Sequence, residues 1–153
     1  MKIFKTQEEI NQALNSDGNL IINGPVTFEC SFEIAGNINA GDITARDISA
    51  WNITAGEIWT AGDITAGDIT AGDITAGDIN ARDISARDIT AWNITAGEIW
   101  TAGDITAGDI TAGDISYYAV CFSYQSFKCR SIKGRRNNSK HFCLDSEIKI
   151  IKE

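Results

Sequence analysis

The chain of 153 residues carries a formal net charge of −8, from 21 acidic and 13 basic side chains. This length fits one domain, and the sequence shows neither an apolar run long enough to span a membrane nor a signal-peptide pattern. We therefore expect a cytoplasmic protein whose four cysteines are reduced. The charge is uneven, because residues 37–116 carry 13 acids and three arginines, whereas residues 117–153 carry eight basic and three acidic side chains. An acidic body with a basic tail predicts partners of opposite charge, or self-association.

The first 36 residues predict a cap at one end of the molecule. A capping box of Thr6 and Glu9 marks the start of a helix over about residues 7–15. The apolar stripe of this helix, Ile10 and Leu14, would cover the open end of the stacked coils that follow. The segment before the helix is short and apolar, which predicts a strand. The segment after it alternates between apolar and polar residues from Leu20, which predicts strands with one buried face.

Residues 37–116 are a repeat in which isoleucine returns every fifth residue. Neither the 3.6-residue period of a helix nor the two-residue period of a strand fits this spacing. Each unit instead predicts a three-residue strand, Ile-Thr-Ala, with Ile and Ala pointing inward, followed by a Gly-Asp turn. One unit cannot bury its apolar face alone, so the units must stack as the coils of a solenoid. The sixteen repeat isoleucines are Ile38, Ile43, Ile48, Ile53, Ile58, Ile64, Ile69, Ile74, Ile79, Ile84, Ile89, Ile94, Ile99, Ile105, Ile110 and Ile115.

A longer repetition predicts the number of units in each coil. The segment from Ala45 to Thr60 recurs 41 residues later, from Ala86 to Thr101, and each copy ends with one extra residue. Two coils of four units plus one extra residue account for this offset, whereas coils of three units do not divide it. The sequence therefore predicts a four-sided coil of about 20 residues.

The sixteen units cover about half of the chain and resemble the pentapeptide-repeat protein family. The resemblance implies an all-β fold, a quadrilateral β-solenoid with a right-handed coil, between the N-terminal cap with its short helix and a C-terminal β cap. One feature departs from the family pattern, in which the position two residues before the central apolar residue is small. Here this position holds glycine, but also Arg46, Trp51, Arg82, Arg87 and Trp92. The small inward residue is instead the alanine two residues after the isoleucine.

In a four-unit coil, the acids that precede the isoleucines would stack in columns. Neighbouring like charges in such a column repel by about 1 kcal/mol in water-like surroundings. Hydrogen bonds from the backbone amides of the corners would offset this repulsion, and we favour this turn chemistry over a binding role for the acids. One column would be Asp42, Asp63, Asp83 and Asp104, and a second would be Asp47, Asp68, Asp88 and Asp109.

Four tryptophans differ from the small residues around them and are candidate partner-binding residues. A four-unit coil would place Trp51 and Trp92 on one corner, and Trp59 and Trp100 after another corner, beside the extra residue. All four side chains would point outward. Exposed aromatic stripes mark interfaces, but each tryptophan could equally shield the backbone of an irregular coil. The sequence does not decide between these two interpretations.

Residues 117–153 predict a basic C-terminal cap that contains a bulkier last coil, a loop and a β-hairpin. The loop residues Lys133, Arg135, Arg136 and Lys140 are candidate partner contacts. They could contact phosphates, but a solvated loop is the favoured interpretation, and we do not expect direct binding to nucleic acid or to a membrane.

No motif in the sequence predicts a cofactor or an enzymatic site. Cys121, Cys129, His141 and Cys143 have residue types that bind zinc, but they contain no tight Cys-x-x-Cys pair. Small buried cysteines in a packed cap are the favoured interpretation. A nucleophile–base pair of Cys and His would lack an orienting motif. We therefore expect a protein without metal or cofactor that is not an enzyme.

Two functions from different classes agree with the sequence. The first is a non-enzymatic structural or interaction protein, in which a rigid acidic solenoid docks a protein partner or a second copy of itself. The second follows from the resemblance, because some pentapeptide-repeat proteins are similar to B-DNA in shape and charge and inhibit or protect DNA gyrase. Four coils would span only about 20 Å, or about six base pairs. The family's DNA mimics dimerise through a C-terminal element, whereas the C-terminal residues here do not predict a helix.

Overall fold

The computed structural model describes residues 1–151 and shows a parallel β-solenoid. One helix, α1 (Gln7–Ala13), accompanies fourteen strands in this part of the chain. The described strand pairs are parallel, because each coil lies on the previous one in the same direction. The strands are β1 (Lys2–Phe4), β2 (Leu20–Ile21), β3 (Val26–Phe28), β4 (Phe32–Asn39), β5 (Ile43–Ala45), β6 (Ile48–Thr54), β7 (Ile58–Thr60), β8 (Ile64–Thr70), β9 (Asp73–Ala86), β10 (Asp88–Thr101), β11 (Ile105–Tyr117), β12 (Val120–Gly134), β13 (Lys140–Cys143) and β14 (Lys149–Ile150).

Three columns of apolar side chains run along the solenoid, because each coil contains three units. Column A consists of Val26, Ile43, Ile58, Ile74, Ile89, Ile105 and Cys121. Column B consists of Phe32, Ile48, Ile64, Ile79, Ile94, Ile110 and Phe127. Column C consists of Leu20, Ile38, Ile53, Ile69, Ile84, Ile99, Ile115 and Ile132. The eight members of column C correspond to about eight coils.

The predicted four-sided, quadrilateral coil is therefore wrong. Ile43 pairs with Ile58, and Ile48 pairs with Ile64, so each isoleucine lies against the one that follows three units later. Two such coils and two further units separate the two copies of the duplicated segment, so the second copy lies two faces further along the chain, which is the preceding face of the three. Ile48 belongs to column B, for example, whereas its counterpart Ile89 belongs to column A. The offset of 41 residues therefore reflects duplication of a segment and does not correspond to a whole number of coils.

The inward-facing side chains form a continuous core, as the five-residue pattern predicts. Each of the sixteen repeat isoleucines is at most 2% exposed, and the alanines two residues later are buried or pack against this core. The two extra residues have a simple explanation. Thr60 and Thr101 take the buried place of an alanine, and Ala61 and Ala102 become exposed insertions at the corner.

The N-terminal helix forms as the sequence predicts and spans Gln7–Ala13. Thr6 is the N-cap residue of α1, and its side-chain oxygen accepts a hydrogen bond from the Glu9 N–H at 3.3 Å. Ile10 is fully buried, and Leu14 packs against the core. The helix therefore covers the apolar end of the first coils.

The C-terminal residues continue the solenoid, and the expected β-hairpin is wrong. Both β13 and β14 pair with β12 in parallel, on successive faces of the coil, and they do not run against each other. Tyr117 fills the inner place of a repeat alanine and is fully buried. Within residues 1–151, no helix has the length and apolar character needed to cross a membrane.

Candidate interaction surfaces

The outer surface can be described by three positions around each column residue. The acid position is the residue before it, and the outer position is the residue after it. Both point away from the core, because side chains alternate along a strand. The corner position lies two residues before the column residue, where the chain turns from one face to the next.

The acid positions stack in columns that differ from those expected. Asp42, Asp63 and Asp83 do not share a column, because they precede Ile43, Ile64 and Ile84 on three different faces. Column A instead has an acid at five consecutive coils. These acids are Asp42, Glu57, Asp73, Asp88 and Asp104.

Glycine at the corner position lets a carboxylate bond to the backbone of the next coil. Asp47 Oδ1 accepts a hydrogen bond from the Asp63 N–H at 2.9 Å, and Asp63 Oδ1 accepts one from the Asp78 N–H at 2.9 Å. A Cβ at Gly62 would lie 2.0 Å from Asp47 Oδ1, so the glycine is needed for the bond. Bonds with glycine at the corner also join Asp42 to Glu57 and Asp88 to Asp104, and Asp104 makes the same bond to Val120, which follows Ala119. They supply the turn chemistry that the sequence suggested for the acids.

At three corner positions, an arginine replaces this bond with an ion pair. Arg82 donates to Asp68 at 2.6 Å in the previous coil, and Arg87 and Arg130 pair with acids one coil before them in the same way. The guanidinium of Arg130, with the Ser131 hydroxyl, holds the pKa of Asp114 below its ordinary value of 3.8. These pairs are exposed, so each contributes little to stability by itself.

Tryptophan at the corner position is followed by asparagine in both cases. The side-chain amide of Asn93, next to Trp92, donates to Asp78 Oδ1 at 2.8 Å. The amide of Asn52, next to Trp51, donates to a side chain of the previous coil at 2.9 Å. Four of the five large corner residues that depart from the family pattern therefore come with a hydrogen-bond donor to the previous coil, namely Trp51, Arg82, Arg87 and Trp92.

The four tryptophans are exposed but do not form stripes. Trp51 lies at a corner position of column C and Trp92 at one of column B, whereas Trp59 and Trp100 occupy outer positions of columns A and C. Their exposed fractions range from 45% for Trp100 to 77% for Trp92. The expected placement of Trp51 with Trp92, and of Trp59 with Trp100, is wrong because the duplication moves each copy to another face. One flat partner surface could not contact all four side chains.

A groove of about 510 Å³ on the face of column C contains two of the candidate residues, and a third lies against one of them. Acidic side chains that include Asp83 and Glu98 line one side of it, and Trp100 and Lys133 occupy outer positions two coils apart on the other side. The guanidinium of Arg135 lies 4.1 Å from the centroid of the Trp100 ring. The remaining tryptophans lie elsewhere on the molecule.

The other candidate residues of the loop come shortly before two exposed apolar side chains in the chain. The side chains of Arg136 and Lys140 make no hydrogen bond or ion pair with any residue between 1 and 151. Phe142 is 46% exposed and Leu144 is 65% exposed. We call Lys133, Arg136 and Lys140, together with Phe142 and Leu144, the basic end.

The cysteines do not assemble a metal site. Cys121 and Cys129 are fully buried in the core, and burial raises the pKa of both thiols. His141 Nδ1 lies 2.8 Å from the hydroxyl of Tyr117. Across residues 1–151, no three His, Cys, Asp or Glu side chains are placed to hold a metal ion.

A second cleft contains residues that the sequence did not suggest. Tyr124 and Asp109 line it together with Trp92. The signal that could have indicated it is the spacing of six between Cys121 and Phe127, where the repeat requires five. That spacing makes the strand two coils after Trp92 irregular, but only the coil size shows that this strand and Trp92 line the same cleft.

Comparison with protein-family models, with curated proteins and with solved structures found no match to this chain. The structure by itself defines the class: this is a repeat protein built as a parallel β-solenoid.

Proposed function

We propose that this protein is a non-enzymatic scaffold, a rigid acidic β-solenoid that associates with a second copy of itself or docks another protein. The observation that carries this proposal is the separation of charge along the molecule. Acids occupy most acid positions of the repeats, whereas the basic end contains Arg136 and Lys140 together with two exposed apolar side chains. Opposite charges on two parts of one surface attract a second copy, and apolar area strengthens the contact.

The architecture suits a scaffold because its shape is fixed. Eight coils at about 4.8 Å each form a stack about 38 Å long. A continuous apolar core and parallel pairing from end to end hold the outward side chains at constant spacing. A non-enzymatic role is supported by the burial of Cys121 and Cys129, which shields both thiols from substrates.

The five-residue period supports a relationship to the pentapeptide-repeat proteins. Sixteen units with an inward apolar residue agree with that assignment. The coil of three units differs from the quadrilateral coil that the resemblance implies, so the relationship is part of this proposal.

Light scattering at two salt concentrations tests self-association. At about 20 mM salt we expect a mass above that of the monomer, and at about 500 mM a return toward the monomer, because salt screens exposed charges. The monomer has a mass of 16.5 kDa. A monomer under both conditions would contradict association of the acidic repeats with the basic end.

A matched pair of variants locates the contact. Arg136→Glu combined with Lys140→Glu reverses two charges at the basic end and should give a monomer at low salt. Lys2→Glu combined with Lys5→Glu makes the same change in net charge beside α1 and should associate like the original protein. Equal behaviour of the two double variants would show that net charge, and not the basic end, controls association.

A second candidate function is binding to DNA gyrase as a mimic of B-DNA, in the cytoplasm. The five consecutive acids of column A favour it. Eight coils match about eleven base pairs, nearly twice the length available to four coils. A gyrase supercoiling assay provides the test, and the absence of any effect at about 10 μM protein, a concentration that detects micromolar affinity, would remove this candidate.

A further inference from the structure

A β-bulge in β12 shapes the second cleft. Ala107 pairs with Ser123 and Asp109 pairs with Ser126, so Tyr124 and Gln125 together oppose Gly108 alone. The buried Ser123 hydroxyl lies 2.6 Å from the carbonyl oxygen of Gly108 and ties the inner side of the bulge to the neighbouring coil. Bulges of this kind redirect side chains and often lie next to binding sites.

The bulge interrupts the bond that other acid positions make to the next coil. Asp109 lies at an acid position, and Ser126 would be the backbone donor one coil later. Asp109 Oδ1 is instead shielded from solvent and has no hydrogen-bond partner anywhere in residues 1–151. Asp109 as a whole is only partly buried and lines the cleft, so a ligand that carries hydrogen-bond donors can approach its carboxylate from there.

Two aromatic side chains flank this acceptor. Trp92 is 77% exposed and Tyr124 is 49% exposed, and both line a cleft of about 540 Å³. The ring of Tyr124 packs against Phe122 at 4.5 Å between centroids, and Phe122 packs against Phe142 at 4.7 Å. These contacts fix the tyrosine, so the cleft is shaped before any ligand enters. Its volume falls within the range of about 300–1,000 Å³ for small-molecule sites.

We propose that this cleft binds a carbohydrate, with a pyranose ring stacked on Trp92. A pyranose offers a flat face of C–H groups to an aromatic ring and a rim of hydroxyl groups to polar side chains. Asn93, Asp109 and Gln125 line the cleft and supply planar carboxylate and amide groups for such a rim. The hydrogen bond from the Asn93 amide to Asp78 holds that side chain in place at 2.8 Å.

The chemistry of Asp109 favours a sugar over a proline-rich peptide, another ligand that stacks on exposed aromatic rings. Proline has no backbone N–H, so such a peptide brings few donors. Each sugar hydroxyl can donate. A carboxylate accepts hydrogen bonds and donates none, so it requires the ligand that carries donors.

The duplicated segment provides a control within the same chain. Trp51 is the counterpart of Trp92, is 64% exposed and is also followed by asparagine. The bulge lies in the second coil after Trp92, whereas the second coil after Trp51 pairs in register, with Asp68 opposite Asp83 and no bulge. Trp51 therefore has the same local sequence without the second aromatic wall.

Isothermal titration of the full chain tests the proposal with cellohexaose, chitohexaose, xylohexaose and laminarihexaose as probes, and with decaproline as the peptide comparison. Each is added to about 5 mM, which detects millimolar dissociation constants. We expect at least one hexasaccharide to bind. Trp92→Ala should weaken this binding by about tenfold or more, whereas Trp51→Ala should change it by less than about twofold. Asp109→Asn should weaken it several-fold.

Three results would overturn the proposal: none of the four hexasaccharides binds, decaproline alone binds, or Trp51→Ala weakens binding as much as Trp92→Ala. Both tryptophans are exposed, so neither substitution removes core packing, and circular dichroism of each variant confirms that the coils are intact. Failure here leaves the scaffold proposal unchanged, because the cleft lies apart from the charges that the light-scattering experiment tests.

Discussion

Gly62 offers a direct test of the bond that joins one coil to the next. Its missing Cβ leaves room for Asp47 Oδ1, which accepts a hydrogen bond from the Asp63 N–H at 2.9 Å. A Cβ added at Gly62 would lie 2.0 Å from that oxygen and 3.3 Å from the backbone oxygen of Arg46. Gly62→Ala must therefore displace the Asp47 carboxylate, whereas the backbone needs little adjustment.

The expected change in stability follows from two opposing effects. Loss of a hydrogen bond to a charged acceptor costs about 1.5–3 kcal/mol. Replacing glycine with alanine stabilises a protein by about 0.4–1 kcal/mol where the backbone permits it. Gly62 does not have a positive φ, so its backbone suits alanine. Gly62→Ala should lower the free energy of unfolding by about 1–2 kcal/mol. When Asp47 is also replaced by alanine, the same change at Gly62 should be neutral or stabilising by up to about 1 kcal/mol.

Urea unfolding followed by circular dichroism measures the four proteins of this double-mutant cycle. Gly72→Ala, with and without Glu57→Ala, is the matched control. A Cβ at Gly72 would lie 2.6 Å from the carbonyl oxygen of Gly56, so removal of the acid brings no relief there. The reasoning is refuted if Gly62→Ala has the same cost with and without Asp47, to within about 0.5 kcal/mol.

The free energy of unfolding should fall at acidic pH. Hydrogen bonds from Ser31 and the Asp63 N–H hold the pKa of Asp47 below 3.8, and Arg130 and Ser131 do the same for Asp114. Both carboxylates stabilise the fold above about pH 4 and lose this contribution as the pH falls through their lowered pKa values; Asp47→Asn should therefore flatten the dependence of urea unfolding on pH between about 2 and 5. Ile79→Ala should lower the free energy of unfolding by about 2–5 kcal/mol and Ile79→Val by about 0.5–1.5, because an inward side chain leaves a cavity when it is shortened. The exposed Thr75→Val should change it by less than about 0.5 kcal/mol, and equal effects of Thr75→Val and Ile79→Ala would contradict the assignment of inward and outward residues. Arg135→Ala should cost about 0.5–1 kcal/mol and shift the emission of Trp100 to the red, measured with the other three tryptophans replaced by phenylalanine; an unchanged spectrum would exclude the contact between guanidinium and ring in solution.

The direction of each side chain could be predicted from the sequence because it depends on local alternation. Ile69 and Ile89 point inward for the same reason that Thr70 and Thr90 point outward, whatever the number of units in a coil. The helix α1 could be predicted because its N-cap bond from Glu9 to Thr6 is also local.

The number of units in a coil could not be predicted, because a five-residue period fits coils of three or four units equally well. Pairing between coils decides it, and this depends on contacts between residues far apart in sequence. The wrong number of units per coil then gave wrong neighbours for the acids and the tryptophans on the surface. Trp51 and Trp92 were correctly expected to be exposed, but their faces follow from the coil size. The sequence could not predict that Trp92 and Tyr124 line one cleft, because this also depends on the coil size.

A coil of three units makes the effect of a change in chain length depend on its size. Insertion of three units would lengthen the rod by one coil, about 4.8 Å, and leave the angle between α1 and the basic end unchanged. Insertion of one unit would preserve the inward pattern completely, yet turn everything downstream by about a third of a revolution. Variants that gain or lose a multiple of three units would therefore keep the orientation of their binding faces. Any other change in the number of units would rotate these faces relative to each other.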